Sequence, residues 1–461
     1  MNREIIADEV PPPPRRGGIH IGLLYPGSYA ESASALGLHF IMGAVRSTPG
    51  CSAGRILATD SRARPATLEE GAPLSSLPVV LVSAGWELMA GPLAETLRRA
   101  SIPPLLSDRD ETHPVIVAGG ALALSNPDLL TPIADVVLRG DGEEALHALL
   151  SGLTAGANRR EILDTLSGLR GATEGTRAVC DDGDLPARSA FVTPRSALAS
   201  MHLVEVMRGC PHGCSFCIMS RRRSGLHARY VPLQAVLEAV PGAARRVGLV
   251  GPSVLEHPEI EDILGALGDR SLEVGISSTR ASRIDDSLAR LLASLGLRTL
   301  TVALDGASES IRARISKSVK AGDVIRAART ARRHGIPRLK LYVMLGFEGE
   351  RDQDIEELAS TCLEIASSTS LTVSVGPVVP KKATALQAMP FVPRRTYESR
   401  IKLLRRTLGD RARIDAVSWR EARDEALLSR MGPDEASGLL ASMDATRPFE
   451  LRRALRALPD P

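Results

Sequence analysis

The stretch Glu205-Val-Met-Arg-Gly-Cys210-Pro-His-Gly-Cys214-Ser-Phe-Cys217 decides how this chain is read. Three cysteines fall within eight residues, separated by three residues and then two, on a segment that also holds Pro211 and Gly213. Such a loop can turn all three thiolates toward one metal centre. Cysteine thiolate is the preferred ligand of iron–sulfur clusters and of zinc. A cubane cluster has four irons, so three protein ligands leave one open to a substrate or cofactor. Two plainer readings stand beside this one: a structural zinc completed by His212, and buried cysteines that bind nothing. Zinc sites more often pair two Cys-x2-Cys knuckles separated by a dozen or more residues. Here no second pair exists, and His212 lies between the cysteines.

Outward from that loop, the pattern alternates between strand and helix. The loop follows a predicted strand at 202–207. Further strands are predicted at 246–250, 273–277, 299–304, 339–345 and 371–375. Helical patterns lie between them at 258–267, 286–295, 321–334 and 352–367. Six β/α units in series predict a partial or full parallel barrel, with chemistry at the carboxyl ends of its strands. Upstream, short apolar runs at 21–25, 55–59, 79–83, 115–118 and 134–138 alternate with helical patterns. They predict a second parallel sheet covered on both faces. Its Gly-rich strand ends are Gly85, Gly119-Gly120 and Gly140-Asp-Gly142.

The expected fold class is therefore α/β: a Rossmann-like parallel-sheet domain, a partial (β/α)6 barrel and a helical C-terminal extension. The expected boundaries are 1–18 for a Pro-rich arm, 19–150 for the first α/β domain, 151–199 for a linker, 200–392 for the barrel and 393–461 for the extension. The arm reads as a semi-extended spacer, because polyproline is stiff and carries no core. The extension is Arg-rich, with one strand candidate near 413–419.

Composition bounds the function. A chain of 461 residues holds two to four domains at roughly 100–200 residues each. With 57 basic and 54 acidic residues the net charge is +3, which argues against binding held by non-specific phosphate contacts. Aromatics are only 3%, so stacking platforms for single strands are scarce. No apolar run reaches the ~18–20 residues of a membrane span, and the N-terminal stretch lacks the apolar core of a signal peptide. Six cysteines are too few for a disulfide scaffold; Cys51, Cys180 and Cys362 stand alone. The expected compartment is the cytoplasm.

The Cys-x3-Cys-x2-Cys loop after a first barrel strand, with an aromatic before the last cysteine, resembles the radical S-adenosylmethionine (SAM) superfamily. The resemblance implies a 4Fe-4S cluster on Cys210, Cys214 and Cys217, with SAM chelating the open iron. A reduced cluster in that family cleaves SAM to a 5′-deoxyadenosyl radical, which abstracts hydrogen from an unactivated carbon. By the same resemblance Phe216 flanks the adenine. Gly251-Pro252-Ser253 stands where the family often has Gly-Gly-Glu, so Ser253 or the backbone is left to meet the SAM ammonium. Ser278 at the third strand end implies a ribose contact, Arg280 a bidentate partner for the SAM carboxylate, and Asp305 an acceptor for ribose hydroxyls. Lys317 and the stretches Gly346–Glu350 and Val378–Lys381 resemble further segments of the barrel mouth.

An α/β domain ahead of the cysteine loop resembles the subgroup with an N-terminal cobalamin-binding-type domain. The matching stretches are Tyr25-Pro26, Ser34 to Leu38, Val117-Ala-Gly119-Gly120 and Asp135 to Glu144. A corrin would sit among Gly85, Trp86, Gly119 and Gly120. The Asp-x-His-x-x-Gly loop that supplies a lower axial histidine is absent, and His39 lies inside a helical pattern.

Three functions follow as expectations. The first is a radical SAM enzyme with cobalamin as a conditional further cofactor, for methyl transfer to an unactivated carbon. The second is a cobalamin-free radical SAM enzyme modifying RNA or a ribosomal component, with Arg221-Arg222-Arg223 and the Arg-rich C-terminus meeting phosphates. The third is a non-catalytic zinc-binding module. Either enzyme needs a low-potential electron donor such as flavodoxin or ferredoxin; no membrane partner is expected, and the substrate is unnamed.

Overall fold

A computed structural model describes residues 2–12, 17–58, 64–169, 186–220, 228–443 and 450–461. Cys180, most of the linker's Gly- and Asp-rich stretches, and Arg221-Arg222-Arg223 lie outside the described residues. The chain forms two compact units, 1–201 with 427–459 and 202–426 with 460–461.

The first unit is built on β1 (Ile19–Tyr25), β2 (Cys51–Leu57), β3 (Val79–Ser83), β4 (Val115–Gly119) and β5 (Val136–Val137). They pair in parallel in the order β2-β1-β3-β4-β5. Alternate side chains point to opposite faces of a strand, and here both faces are apolar. Val80, Val82, Ile116 and Ala118 enter one core, while Val79, Leu81, Val115 and Val117 enter the other. Helices Leu36–Ser47 and Ala90–Arg99 come from the connections, and Glu143–Thr154 follows β5.

At the carboxyl ends of β3 and β4 the backbones touch. Gly120 has φ +104°, and a Cβ there would lie 2.4 Å from the Ala84 carbonyl oxygen. That conformation is nearly glycine-only and a backbone oxygen cannot swing away. Gly120→Ala is expected to cost at least about 1–3 kcal/mol, read as a lowered midpoint of thermal unfolding.

The N-terminal arm differs from the expected spacer. Glu9 is buried and takes a bidentate grip from Arg55 on β2, at 2.7 and 2.8 Å. Val10 bridges Val192 in antiparallel fashion. The arm thus carries an obligatory counter-charge into the domain, because a buried guanidinium must be paired. The expected extension 393–461 also divides. Its residues from Leu427 onward complete the first unit's core, with Leu428, Leu439, Leu440, Leu451 and Leu455 packed beside Leu93 and Leu97. The Asn126 side-chain amide donates to the carbonyls of Leu428 and Met431 at 2.9 and 3.1 Å.

The second unit carries β6 (His202–Glu205), β7 (Arg246–Val250), β8 (Glu273–Ile276), β9 (Thr299–Asp305), β10 (Arg338–Leu345), β11 (Ser370–Pro377) and β12 (Ala412–Ala416). The first three form one parallel sheet and the last four another. A single parallel bridge, Thr279 to Val302, joins them into one series of seven strands. Val302, Leu341, Val343, Val373 and Val375 enter the core shared with the helices, each followed by a more exposed neighbour on the opposite face of the sheet. Among the described residues no helix is long and apolar enough to cross a membrane.

Candidate metal centre at the carboxyl ends of the barrel strands

The cysteine loop leaves β6 at its carboxyl end. Gly209 takes φ +71°, turning the chain immediately before Cys210. The loop is anchored on both sides: the Ser215 N–H donates to Ile315 at 2.9 Å, and the Ala385 N–H donates to Ser215 at 3.1 Å. Cys214 is buried, and Cys210 and Cys217 are partly buried. Burial raises all three thiols above the ordinary range, and each sulfur lies within electrostatic reach of its fellows or their neighbours. The His212 and Met219 N–H groups point at Cys210 and Cys217 and work in the opposite direction, favouring thiolate.

Around the thiols stand charged pairs from three strand ends. Lys317 Nζ lies 2.6 Å from Asp305 Oδ2, and both side chains are largely buried. Asp305 has φ +63°, at an irregularity in the β9–β10 register between Ala303 and Asp305. A non-glycine residue held there marks backbone strain maintained by its surroundings. Arg312 supports that turn, donating from Nη1 to the Gly306 carbonyl at 3.1 Å. Lys317 lowers and Asp305 raises the pKa of both Cys214 and Cys217, so this pair faces the loop.

Glu256 was not singled out from the sequence, yet it organises the other side. It accepts from Ser253 Oγ at 2.9 Å, lies 2.5 Å from His212 Nε2, and sits 3.5 Å from Arg280 Nε. Burial pushes its carboxyl up, but His212, Ser253 and Arg280 outweigh that and hold it below the usual carboxylate range. Arg280 also donates to the Ser318 carbonyl and hydroxyl at 2.9 and 2.8 Å. The sequence signal for Glu256 was faint: a carboxylate three residues past the strand-end Ser253.

The other expected positions divide. Ser253, Arg280 and Asp305 lie in this constellation with the cysteines. Ser278 is exposed beside it, while its neighbour Thr279 has a buried hydroxyl with no partner. Phe216 packs against the cluster of Ile311, Ile315 and Phe347. Gly346 turns with φ +99°, and its N–H donates to Glu350 at 2.6 Å. Burial raises the Glu350 carboxyl to about 7, against the lowering pull of that N–H and of Arg400 at 2.5 Å. Gly119 and Gly120 end β4 in the first unit. His39 there is buried, taking an N–H from Ala190 at 3.0 Å and facing the Ala33 carbonyl at 3.1 Å. Its ring is thus committed inside the unit.

Among the described residues no group of three His, Cys, Asp or Glu side chains converges as a single-ion site requires. A cubane asks for something else, since each thiolate takes a different iron. Three neighbouring thiols, an orphaned buried hydroxyl and opposed charges at the strand ends suit a cluster with a zwitterionic ligand.

Two family models match the chain, one in each unit. The family model described as the radical SAM superfamily matches residues 204–362. A second, described as radical SAM proteins, N-terminal, matches residues 55–173. An uncharacterized protein of Methanocaldococcus jannaschii is 30% identical over 201 residues, 42% of this chain and 44% of that one. An uncharacterized methyltransferase of Pyrococcus horikoshii is 24% identical over 257 residues, 52% of this chain and 56% of that one. The chain therefore spans about half the length of these relatives. Among solved structures, the cobalamin-dependent S-adenosylmethionine radical enzyme OxsB with aqua-cobalamin bound superposes with a TM-score of 0.51 at 13% identity, covering 85% of this chain and 56% of that one. That likeness shows the fold.

Proposed function

Since the chain belongs to the radical SAM superfamily, we propose that it binds a 4Fe-4S cluster on Cys210, Cys214 and Cys217 and cleaves SAM reductively. The observation that carries this is the meeting of the three thiols with the Asp305–Lys317 and Glu256–Arg280 pairs at one set of strand ends. When bound and reduced, the cluster supplies the electron that breaks a carbon–sulfur bond of SAM and yields the 5′-deoxyadenosyl radical.

The chain's own residues do the binding and orienting. Glu256 offers a carboxylate to the SAM ammonium, standing in for the acid missing at Ser253. Arg280 offers a guanidinium fork to the SAM carboxylate. Asp305 and Ser278 accept or donate to ribose hydroxyls, and the free Thr279 hydroxyl lies beside them. Phe216 supports the loop from its apolar cluster and flanks the adenine side. Burial of the thiols keeps water from the cluster's ligands. A low-potential donor such as flavodoxin or ferredoxin supplies the electron, and a reducing compartment such as the cytoplasm suits the chemistry.

Asp305→Asn tests the binding role. Asparagine tolerates the left-handed backbone, so the change removes charge and leaves the turn. Loss of one hydrogen bond to a charged group, about 1.5–3 kcal/mol, predicts SAM affinity weaker by roughly 10- to 100-fold. Equilibrium dialysis on reconstituted protein measures it, with iron content unchanged.

A cobalamin-bound form is the further reading, and the first unit's fold favours it. The β3 and β4 ends present small residues at Gly85, Gly119 and Gly120, as a flat macrocycle needs, and Trp86 is partly exposed there. Methyl transfer to an unactivated carbon would then follow. Incubation with hydroxocobalamin, gel filtration and a corrin absorption reading decide it: retained corrin supports the reading, and its complete loss leaves a corrin-free radical SAM enzyme.

A further inference from the structure

The second unit holds a cavity of about 620 Å³ that the cluster reading leaves unused. It lies between helix Arg394–Leu408 and the turn after β12. Its helix side uses Arg394, Tyr397, Glu398, Ile401, Lys402 and Arg405. Steps of three and four place these on one face. Because β12 runs parallel to β11, Ala416 and Val417 lie at the carboxyl end of the sheet, the end from which the cysteine loop also departs.

The chemistry of the walls is one-sided. Arg394 is paired with Glu398 at 2.7 Å, which accounts for the single carboxylate of the lining. No hydrogen bond or ion pair engages Lys402, Arg405 or Arg420 among the described residues. Three unmatched cations therefore rim the space. The floor is apolar, since its two polar tips are spent inward. The Tyr397 hydroxyl donates to the carbonyls of Val375 and Val417 at 3.3 and 3.0 Å, and the Trp419 N–H donates to Val392 at 2.8 Å. Val417, 44% exposed, forms an apolar lip.

A second Arg-lined cavity, with Arg332, Arg338 and Arg411, shows the contrast. It lies at the amino ends of β10 and β11. There Arg411 donates to the carbonyls of Leu408 and Thr407, and Arg338 to Thr299. The Arg338 and Arg411 guanidiniums brace the fold, whereas Lys402, Arg405 and Arg420 at the first cavity make no such bonds among the described residues.

We propose that the first cavity is a binding site for a small phosphate-bearing molecule. Lys402, Arg405 and Arg420 hold its phosphate, and the carbon surfaces of Tyr397 and Val417 receive its apolar body. Arginine forks match phosphate oxygens two at a time, and the volume falls within the roughly 300–1,000 Å³ of small-ligand sites. The inference rests on this cavity alone and stands independently of the cluster.

The test is equilibrium dialysis of the full chain, at about 150 mM salt, with inorganic pyrophosphate and with AMP as probes. Wild-type protein is expected to bind at least one of them with a dissociation constant below about 1 mM. AMP should bind tighter than inorganic phosphate run alongside as a control with no apolar body, and binding should weaken as salt rises. The K402E/R405E/R420E variant should lose at least about tenfold in affinity. Arg405→Ala alone should lose part of it, and R332E/R411E none. Because the reversed side chains are exposed, the triple variant should keep its thermal unfolding midpoint; if it does not, Arg405→Ala carries the comparison. Protein with and without iron should bind the probes alike. The proposal is overturned if neither probe binds at millimolar concentration, or if the triple and single variants bind as wild type does. It is equally overturned if an RNA oligonucleotide binds far more tightly than either probe through these residues.

Discussion

Cys214→Ala is expected to empty the metal centre. Reconstituted wild-type protein should hold about four irons per chain, and the variant should hold close to none. The product 5′-deoxyadenosine should fall to background in the same preparation. The reason is geometric as well as chemical. Cys214 is the buried member of the three, and its loop is held at Ser215 by hydrogen bonds to Ile315 and Ala385. Cys362 of the same unit is buried in a helix of the core and cannot swing a thiolate into its place. Cys51→Ala should keep both iron and product. A Cys214→Ala protein that still forms 5′-deoxyadenosine at the wild-type rate would remove the assignment of the ligands.

The second large effect is on stability. Arg55 is completely buried on β2, with its head group between Glu9 at 2.7 Å and Glu69 at 2.6 Å and its plane 4.5 Å over the Phe191 ring. Tyr29 adds a hydrogen bond to Glu9 at 2.6 Å. Arg55→Met would leave two buried carboxylates without the guanidinium that bonds them, with Arg46 still within electrostatic reach. Breaking such a pair costs about 3–5 kcal/mol. The unfolding midpoint of the first unit should drop by roughly 6–20 °C. Adding Glu9→Gln and Glu69→Gln to the same protein should recover part of the loss, since the stranded charges are then gone. Calorimetry of the three proteins measures both changes. A loss below about 1 kcal/mol for Arg55→Met would show that water reaches this cluster.

Much of the architecture was legible in the sequence for a simple reason. Buried parallel strands such as Val79–Ser83 and Arg246–Val250 are apolar runs closed by Gly, Ser or Pro, and the helices between them carry a single apolar face. The strand candidate near 413–419 corresponds to β12, which extends the series to seven. What stayed hidden depends on partners distant in the chain. Nothing local in Met1–Gly18 announces that Glu9 will meet Arg55, because the pairing spans 46 residues. The apolar face from Leu428 to Leu455 looks like any amphipathic tail until Leu93 and Leu97 are found beside it. Glu256 was missed because the expected acid position is held by Ser253, and the carboxylate arrives one short turn later. Beside Ser278, the Thr279 hydroxyl is buried without a partner, a fact of packing that the sequence of hydroxyls at 277–279 does not announce.

One measurement addresses the central claim most directly: metal analysis of anaerobically purified and reconstituted wild-type protein, followed by electron paramagnetic resonance of the dithionite-reduced sample with and without SAM. The account predicts iron and sulfide in equal amounts, a reduced-cluster signal, and a change in that signal when SAM is added. Stoichiometric zinc with no iron, or an iron signal indifferent to SAM, would contradict it.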